Sequence, residues 1–276
     1  MAINSEQKST NKWPVITLTT DSGLEDYYVS AIKGAIISQL PEVHIIDISH
    51  NIPTFDISQA AFVLKNVIAE FPKGTVHIIG ILPDATAESP HIAVSYENQY
   101  FIAADNGIFS LLFTHKPDKI VELTIKQDTD FLTFPTKDIF VKAACHLARG
   151  GVLEVLGGPR DSFLERTNLQ PITDKNIIRG NIVYIDHYGN LITNIKKDLF
   201  NKIGKGRRFN ILMKDESSVL NKISNCYNDV EFSEMLALFG AAGNLEIAIN
   251  ANSAAKLLIM GVGNAISIEF YDKKNR

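Results

Sequence analysis

Val15-Ile16-Thr17-Leu18-Thr19-Thr20-Asp21-Ser22-Gly23-Leu24-Glu25-Asp26-Tyr27-Tyr28-Val29 opens the structured part of the chain. A β-rich run, Val15–Thr19, breaks at the polar Thr20-Asp21-Ser22-Gly23, after which Tyr27, Ala31, Ile32, Ala35 and Ile36 recur at helical spacing. The same alternation continues downstream. His44–Ile48 reads as a second strand, Ser58–Glu70 as an amphipathic helix, and Thr75–Leu82 as a near-continuous apolar strand of the kind buried on both faces of a sheet. Strands alternating with helices predict an α/β domain with a central parallel or mixed sheet.

Beyond Glu165–Lys175, a polar segment holding Pro171, the texture changes. Gly180–Ile185, Leu191–Ile195, Arg208–Met213, Leu245–Ile249 and Ala265–Phe270 are short apolar runs separated by turn residues, with no long helical period. The expected organisation is a disordered or extended tail at 1–14, an α/β domain at 15–168 and a smaller all-β domain at 176–276.

Composition narrows the function classes. With 27 Lys plus Arg against 31 Asp plus Glu, the formal net charge of the 276 residues is −4, without the basic excess of a nucleic-acid-binding surface. Cys145 and Cys226 are too few and too far apart for a structural zinc site or a disulfide framework, which fits a reducing compartment. No apolar run reaches the length of a membrane span and the polar N-terminus has no signal-peptide core, so a cytoplasmic protein without membrane partners is expected.

Several polar clusters stand at strand ends. Asp21 occupies the position where an α/β sheet opens its binding crevice, and a carboxylate there can accept hydrogen bonds from both hydroxyls of a ribose. With Ser22 and Glu25 it also resembles a helix capping box, the commoner reason for such a residue. His50, in Asp47-Ile48-Ser49-His50-Asn51-Ile52-Pro53, reads as structural, and Asp105-Asn106-Gly107 as a tight turn. Asp186-His187-Tyr188-Gly189-Asn190 is a hairpin turn or a binding cluster, and Thr193-Asn194 adds more hydrogen-bonding capacity than a chain reversal needs. Glu246–Ser253 runs from an alternating strand into small residues that would let a planar ligand approach the backbone. P-loop, Rossmann-glycine, nucleophile-elbow and zinc-helix patterns are all missing.

Taken in order, these segments resemble one family. Thr20–Val29, Lys33-Gly34, Asp47–Pro53, Phe71-Pro72-Lys73-Gly74-Thr75-Val76-His77, Ala104–Gly107, Asp138-Ile139-Phe140, Gly157-Gly158-Pro159, Asp186–Ile195 and Glu246–Asn250 are similar to motifs of the S-adenosyl-L-methionine (SAM) hydroxide adenosyltransferases, relatives of fluorinase and chlorinase. The resemblance implies an α/β N-terminal domain, a barrel-like C-terminal domain, and a homotrimer with sites at subunit interfaces. It also implies attack of water or hydroxide at C5′ of SAM, giving adenosine and methionine with neither metal nor cofactor. It places Asp21 on the ribose, Phe55 as a wall beside the nucleoside, Asp186 on the methionine ammonium, Asn190 on the adenine edge, Tyr227 stacked on adenine, and Asn250-Ala251 against that base.

The chain departs from the pattern elsewhere. The water-activating Asp-Arg-His positions hold Leu82, Ser89 and Pro135, which leaves Asp84, able to orient water, and Thr136, at the position that contacts halide in fluorinase, as catalytic candidates. The position of a small polar clamp for the methionine carboxylate is Ala241-Ala242. Beside the hydrolase reading therefore stand an adenosyl-binding trimer without turnover and an enzyme acting on a different adenosyl substrate.

Overall fold

A computed structural model describes residues 13–213 and 219–272, so nearly all of the expected tail at 1–14 lies outside the described residues. The chain divides into two units between Thr167 and Asn168. In the first, β1 (Val15–Thr20), α1 (Tyr28–Gln39), β2 (His44–Ser49), α2 (Ile57–Lys65), β3 (Val76–Gly80), β4 (His91–Tyr96), β5 (Gln99–Ala104), α3 (Ile108–Leu112), β6 (Lys119–Leu123), α4 (Val141–Ala148) and β7 (Gly157–Arg160) follow in chain order. The strands form one mixed sheet, β2-β1-β3-β5-β4-β6-β7, parallel from β2 to β5 and antiparallel from there to β7.

The apolar run in β3 is explained by burial on two sides. Val76 and Ile78 pack with Ile32, Ile36, Val141 and Ala144 of α1 and α4, whereas Ile79 and Ile81 pack with Ala60, Leu64, Ile108 and Phe109 of α2 and α3. Chain order reverses between β1, which feeds β2 on one side, and β3 on the other. A sheet of this kind opens its crevice at the carboxyl ends of those two strands, here Thr20-Asp21 and Gly80-Ile81-Leu82.

The helical spacing that starts at Tyr27 is met by α1, but the cap read at its head is not. Helix α1 begins at Tyr28, its N-cap Tyr27 makes no side-chain cap bond, and the capping box expected around Asp21 is not formed. By contrast α2 is capped by Asp56, whose side chain accepts the Ser58 and Gln59 N–H groups at 3.0 Å each.

The second unit contains β8 (Ile172–Thr173), β9 (Ile177–Ile185), β10 (Leu191–Lys196), α5 (Lys197–Gly204), β11 (Arg208–Leu212), β12 (Val219–Leu220), β13 (Ile223–Ser224), β14 (Met235–Phe239), β15 (Asn244–Ile249), α6 (Ala254–Leu257) and β16 (Ala265–Tyr271). Its sheet runs β12-β11-β16-β9-β10-β15-β14-β13, with β8 also paired to β9. Ile211 of β11, Ile268 of β16, Ile182 of β9, Leu191 of β10, Ile247 of β15 and Ala237 of β14 share one core, so the sheet curls in the manner of a half-barrel. The curled sheet bears out the barrel-like expectation and also carries the short helix α5: Leu199, Phe200 and Ile203 form its apolar face, and Phe200 meets the rings of Phe209, Phe239 and Phe270 at 5.1, 5.4 and 5.3 Å. A helix this short offers too few repeats for its period to stand out from a turn.

Beneath α2 the first sheet buries a polar line. Gln99 Nε2 donates to the Ile68 and Phe71 carbonyls at 3.0 and 2.9 Å, so its Oε1 accepts from His77 Nε2 at 3.1 Å, and His77 Nδ1 accepts the Thr17 hydroxyl at 2.7 Å. Burial lowers the His77 pKa to about 4. Because the unfolded imidazole takes a proton near its ordinary 6.5, this group favours the folded state above that pH and loses its contribution as pH falls from 6.5 through 4. The loss attributable to His77 is about 3 kcal/mol. A ring titration followed by NMR is expected to show a midpoint near 4, and a midpoint at 6.5 or higher would refute the buried neutral assignment.

Candidate functional site

Freed from capping, Asp21 turns to the loop after β2. Its Oδ2 accepts the Phe55 N–H at 2.8 Å, and Oδ1 takes no donor among the described residues. Phe55 lies in the left-handed region at φ 66° with its ring 65% exposed, and Leu82, just beyond β3, does the same at φ 43°. Bulky residues on such backbone carry strain, and strain of this kind concentrates at binding sites. Asn106 holds the Leu82 turn by donating Nδ2 to the Ile81 and Leu82 carbonyls at 2.9 and 3.3 Å. Thus Asp105-Asn106-Gly107, read as a tight turn, also braces the end of β3.

Thr136 reaches the same strand end through a π-helical turn, Thr136–Phe140, that leads into α4. A Cβ on Gly80 would stand 2.9 Å from Thr136 Oγ1 and 3.3 Å from Thr20 Cγ2, so the missing side chain is what lets the two threonines close on that point. Asp84 is exposed on the segment between β3 and β4. Its charge acts on His91, whose pKa burial lowers against the opposing Pro83 carbonyl, 2.7 Å from Nε2, and Asp84. Leu82, Ser89 and Pro135 carry no acid or base.

The second unit holds a cavity of about 620 Å³ lined by Asp186, Tyr188, Asn190, Tyr227, Ile249, Ala251, Asn252 and Ser253. Two turns make it. Between β9 and β10, Asp186 accepts the Asn190 N–H and Nδ2 at 2.8 and 2.9 Å, which leaves Asn190 Oδ1 as an acceptor. Gly189 (φ 86°) must be glycine there, since a Cβ would stand 2.1 Å from Ser253 Oγ. The second turn follows β15, with Ala251 at φ 57°, and is tied to the first by Ala255 N–H donating to the Gly189 carbonyl at 2.9 Å.

Tyr227 donates its hydroxyl to Glu246 Oε1 at 2.6 Å. Burial first, then the Tyr227 bond and the nearby Asp186, act on Glu246, and the net effect raises its pKa. Burial and Glu246 together push the Tyr227 phenol up. Asn250 is not part of the cavity wall: its Nδ2 donates to the Val230 carbonyl at 2.9 Å and its own carbonyl accepts the Ser233 N–H at 3.0 Å. Tyr188, inside the Asp186–Asn190 cluster, and Glu246, Ile249, Asn252 and Ser253, inside the Glu246–Ser253 stretch, were flagged only as parts of those segments and given no individual role. The only signal for them was position beside Gly189 and within the small-residue turn.

Comparison with known proteins gives the family of both units. The profile described as SAM hydroxide adenosyltransferase N-terminal domain matches residues 16–157, and that of the C-terminal domain matches 180–267. The chain belongs to this family. It is 31% identical to the (R)-S-adenosyl-L-methionine hydrolase of Methanocaldococcus jannaschii over 88% of this chain and 91% of the relative. It is 24% identical to a fluorinase of Nocardia brasiliensis, over 93% of this chain and 97% of the relative. The crystal structure of an uncharacterized conserved protein from Thermotoga maritima superposes with a TM-score of 0.84 at 28% identity, covering 92% of this chain and 99% of that one. Within a SAM hydroxide adenosyltransferase, the open oxygen of Asp21 and the cavity beside Tyr227 are the features to probe.

Because Glu246 is 6% exposed, removing its phenolic donor leaves a buried carboxylate short of a partner. Tyr227→Phe is expected to lower unfolding free energy by about 1–3 kcal/mol in urea titrations, with Glu246→Gln recovering part of the loss in the double variant. No change in the single variant would show that solvent supplies the missing hydrogen bond.

Proposed function

We propose that this chain is a SAM hydrolase. Asp21 carries the reading: it is released from capping, anchored by Phe55 N–H, and left with one carboxylate oxygen open at the crevice between β1 and β3. In this role Asp21 binds the ribose hydroxyls and Phe55 shields that side of the sugar. In the second unit, Tyr227 stacks on adenine, Asn190 Oδ1 and the backbone around Ala251 meet its edge, and Asp186 receives the methionine ammonium.

Water or hydroxide attacks C5′ as the C5′–S bond breaks. The bonding pair leaves with sulfur as methionine, the new C5′–O bond gives adenosine, and the surplus proton passes to solvent. A sulfonium departs as a neutral thioether, so the protein has mainly to align the nucleophile and strip its water. Thr136, packed at Gly80, and Asp84 are the groups proposed to orient that water. We further propose a cytoplasmic homotrimer whose sites lie at subunit interfaces, with an adenosyl compound as its small-molecule ligand and no metal, cofactor, nucleic acid or membrane required. Among the described residues no helix is long and apolar enough to cross a membrane.

A second reading rests on Leu82, Ser89 and Pro135, which bring no water-activating group. In it the chain binds adenosyl ligands without turnover or, given Ala241-Ala242, turns over one lacking the methionine carboxylate.

The deciding experiment incubates the purified chain with each sulfonium epimer of SAM, follows adenosine and methionine by chromatography, and measures binding by calorimetry. Equimolar adenosine and methionine are expected, and Asp21→Ala is expected to weaken adenosine binding by about 1.5–3 kcal/mol. Binding without release selects the non-catalytic reading, and no binding of SAM or adenosine at millimolar concentration removes both.

A further inference from the structure

His50, read from the sequence as structural, directly follows β2 and is 4% exposed. Its Nδ1 lies 2.8 Å from Thr20 Oγ1. Its Nε2 is 3.0 Å from Asp47 Oδ1, close but bent away from good hydrogen-bond alignment, and Asp47 Oδ2 receives Lys33 Nζ of α1 at 2.6 Å. Burial pushes the Asp47 carboxyl upward, but Lys33 and His50 outweigh it and hold the group below the ordinary carboxylate value. An ionised Asp47 at Nε2 favours the tautomer with its proton there, so that Nδ1 accepts from the Thr20 hydroxyl.

The backbone of the same residue reaches the other side of Asp21. The His50 carbonyl accepts the Gly23 N–H at 2.8 Å, while Thr20 Oγ1 also receives the Ser22 N–H at 3.4 Å. One residue thus grips the chain immediately before Asp21 with its ring and beyond it with its carbonyl, and Phe55 of the same loop bonds the carboxylate itself. This bracket acts where helical structure does not, since α1 starts only at Tyr28 and leaves the Asp21 loop without a helix cap.

We propose that His50 is a positioning residue for Asp21: acting through the Thr20 hydroxyl, with Asp47 and Lys33 setting the ring, it holds the carboxylate in the orientation that binds ribose. The assignment rests on Asp21 being the ribose ligand. A merely structural histidine would change stability without caring whether position 21 is charged, so the distinguishing quantity is the coupling between the two positions.

Adenosine affinity is measured by calorimetry on the full chain. His50→Ala and Thr20→Val are each expected to weaken it about tenfold, while His50→Asn, which offers an amide near the place of Nδ1, stays within about threefold of the parent. In an Asp21→Asn background, which keeps an acceptor for Phe55 N–H, His50→Ala is expected to change affinity by less than about twofold. Equal losses in both backgrounds, or no loss from His50→Ala and Thr20→Val, would overturn the positioning role while leaving Asp21 as the ribose ligand. Parent affinity in Asp21→Asn itself would remove the ribose reading, and the role of His50 with it. If His50→Ala does not fold, Thr20→Val, which removes only the hydroxyl, supplies the same comparison with Asp21→Asn.

Discussion

Parallel pairing of β1 with β2 on one side and β3 on the other is the constraint from which the rest of the first unit follows. It sends α1 and α2 to opposite faces, so both faces of β1 and β3 are covered and their side chains are buried, apolar toward α1 and partly polar at Thr17 and His77 on the other face. It also leaves the carboxyl ends of the two strands diverging, with no crossover connection over the gap. That divergence brings Thr20, Asp21, Gly80 and Leu82 to one edge, where bonds from Phe55 and Asn106 fix Asp21 and the Leu82 turn. Strained backbone at Phe55 and Leu82, and a glycine where any side chain would strike Thr136, are local costs that the two-sided core is large enough to offset.

The second unit solves a different problem. A curled antiparallel sheet offers no such crevice, and its cavity is built instead from two turns pressed together at Gly189 and Ser253. Carboxylates in and behind its wall are held by short-range donors: Asp186 by both nitrogens of Asn190, Glu246 by Tyr227. The charge of Asp186 adds to burial in raising the cost of ionising Glu246, and a cationic ligand would relieve it.

Family membership and local chemistry diverge at the water-activating positions as well as at Ala241-Ala242. The residues proposed for the ribose and the base are present and held by hydrogen bonds, whereas Leu82, Ser89 and Pro135 remove the usual means of activating water. Chemistry with so good a leaving group tolerates this better than most, since alignment and desolvation supply a large share of the acceleration.

Periodicity alone marked β1, β2, β3 and the helices between them, because burial on two faces writes continuous apolar runs and burial on one writes a helical stripe. It also marked the change of texture near Glu165–Lys175. It missed α5, whose two turns are too short for a period, and it gave the start of α1 correctly, at its N-cap Tyr27, whereas the capping residues at Asp21-Ser22 stood where no helix begins. Asp21, Asp186 and Asn190 were legible as polar residues at strand ends, yet capping and turn chemistry explained them equally well. The tertiary structure removes the helix cap from Asp21, giving it a partner in Phe55, and gives His50 a partner in Thr20. Hydrogen bonds between residues distant along the chain depend on which strands pair, and a linear pattern of apolar and polar residues determines what is buried but not which buried or half-buried groups meet.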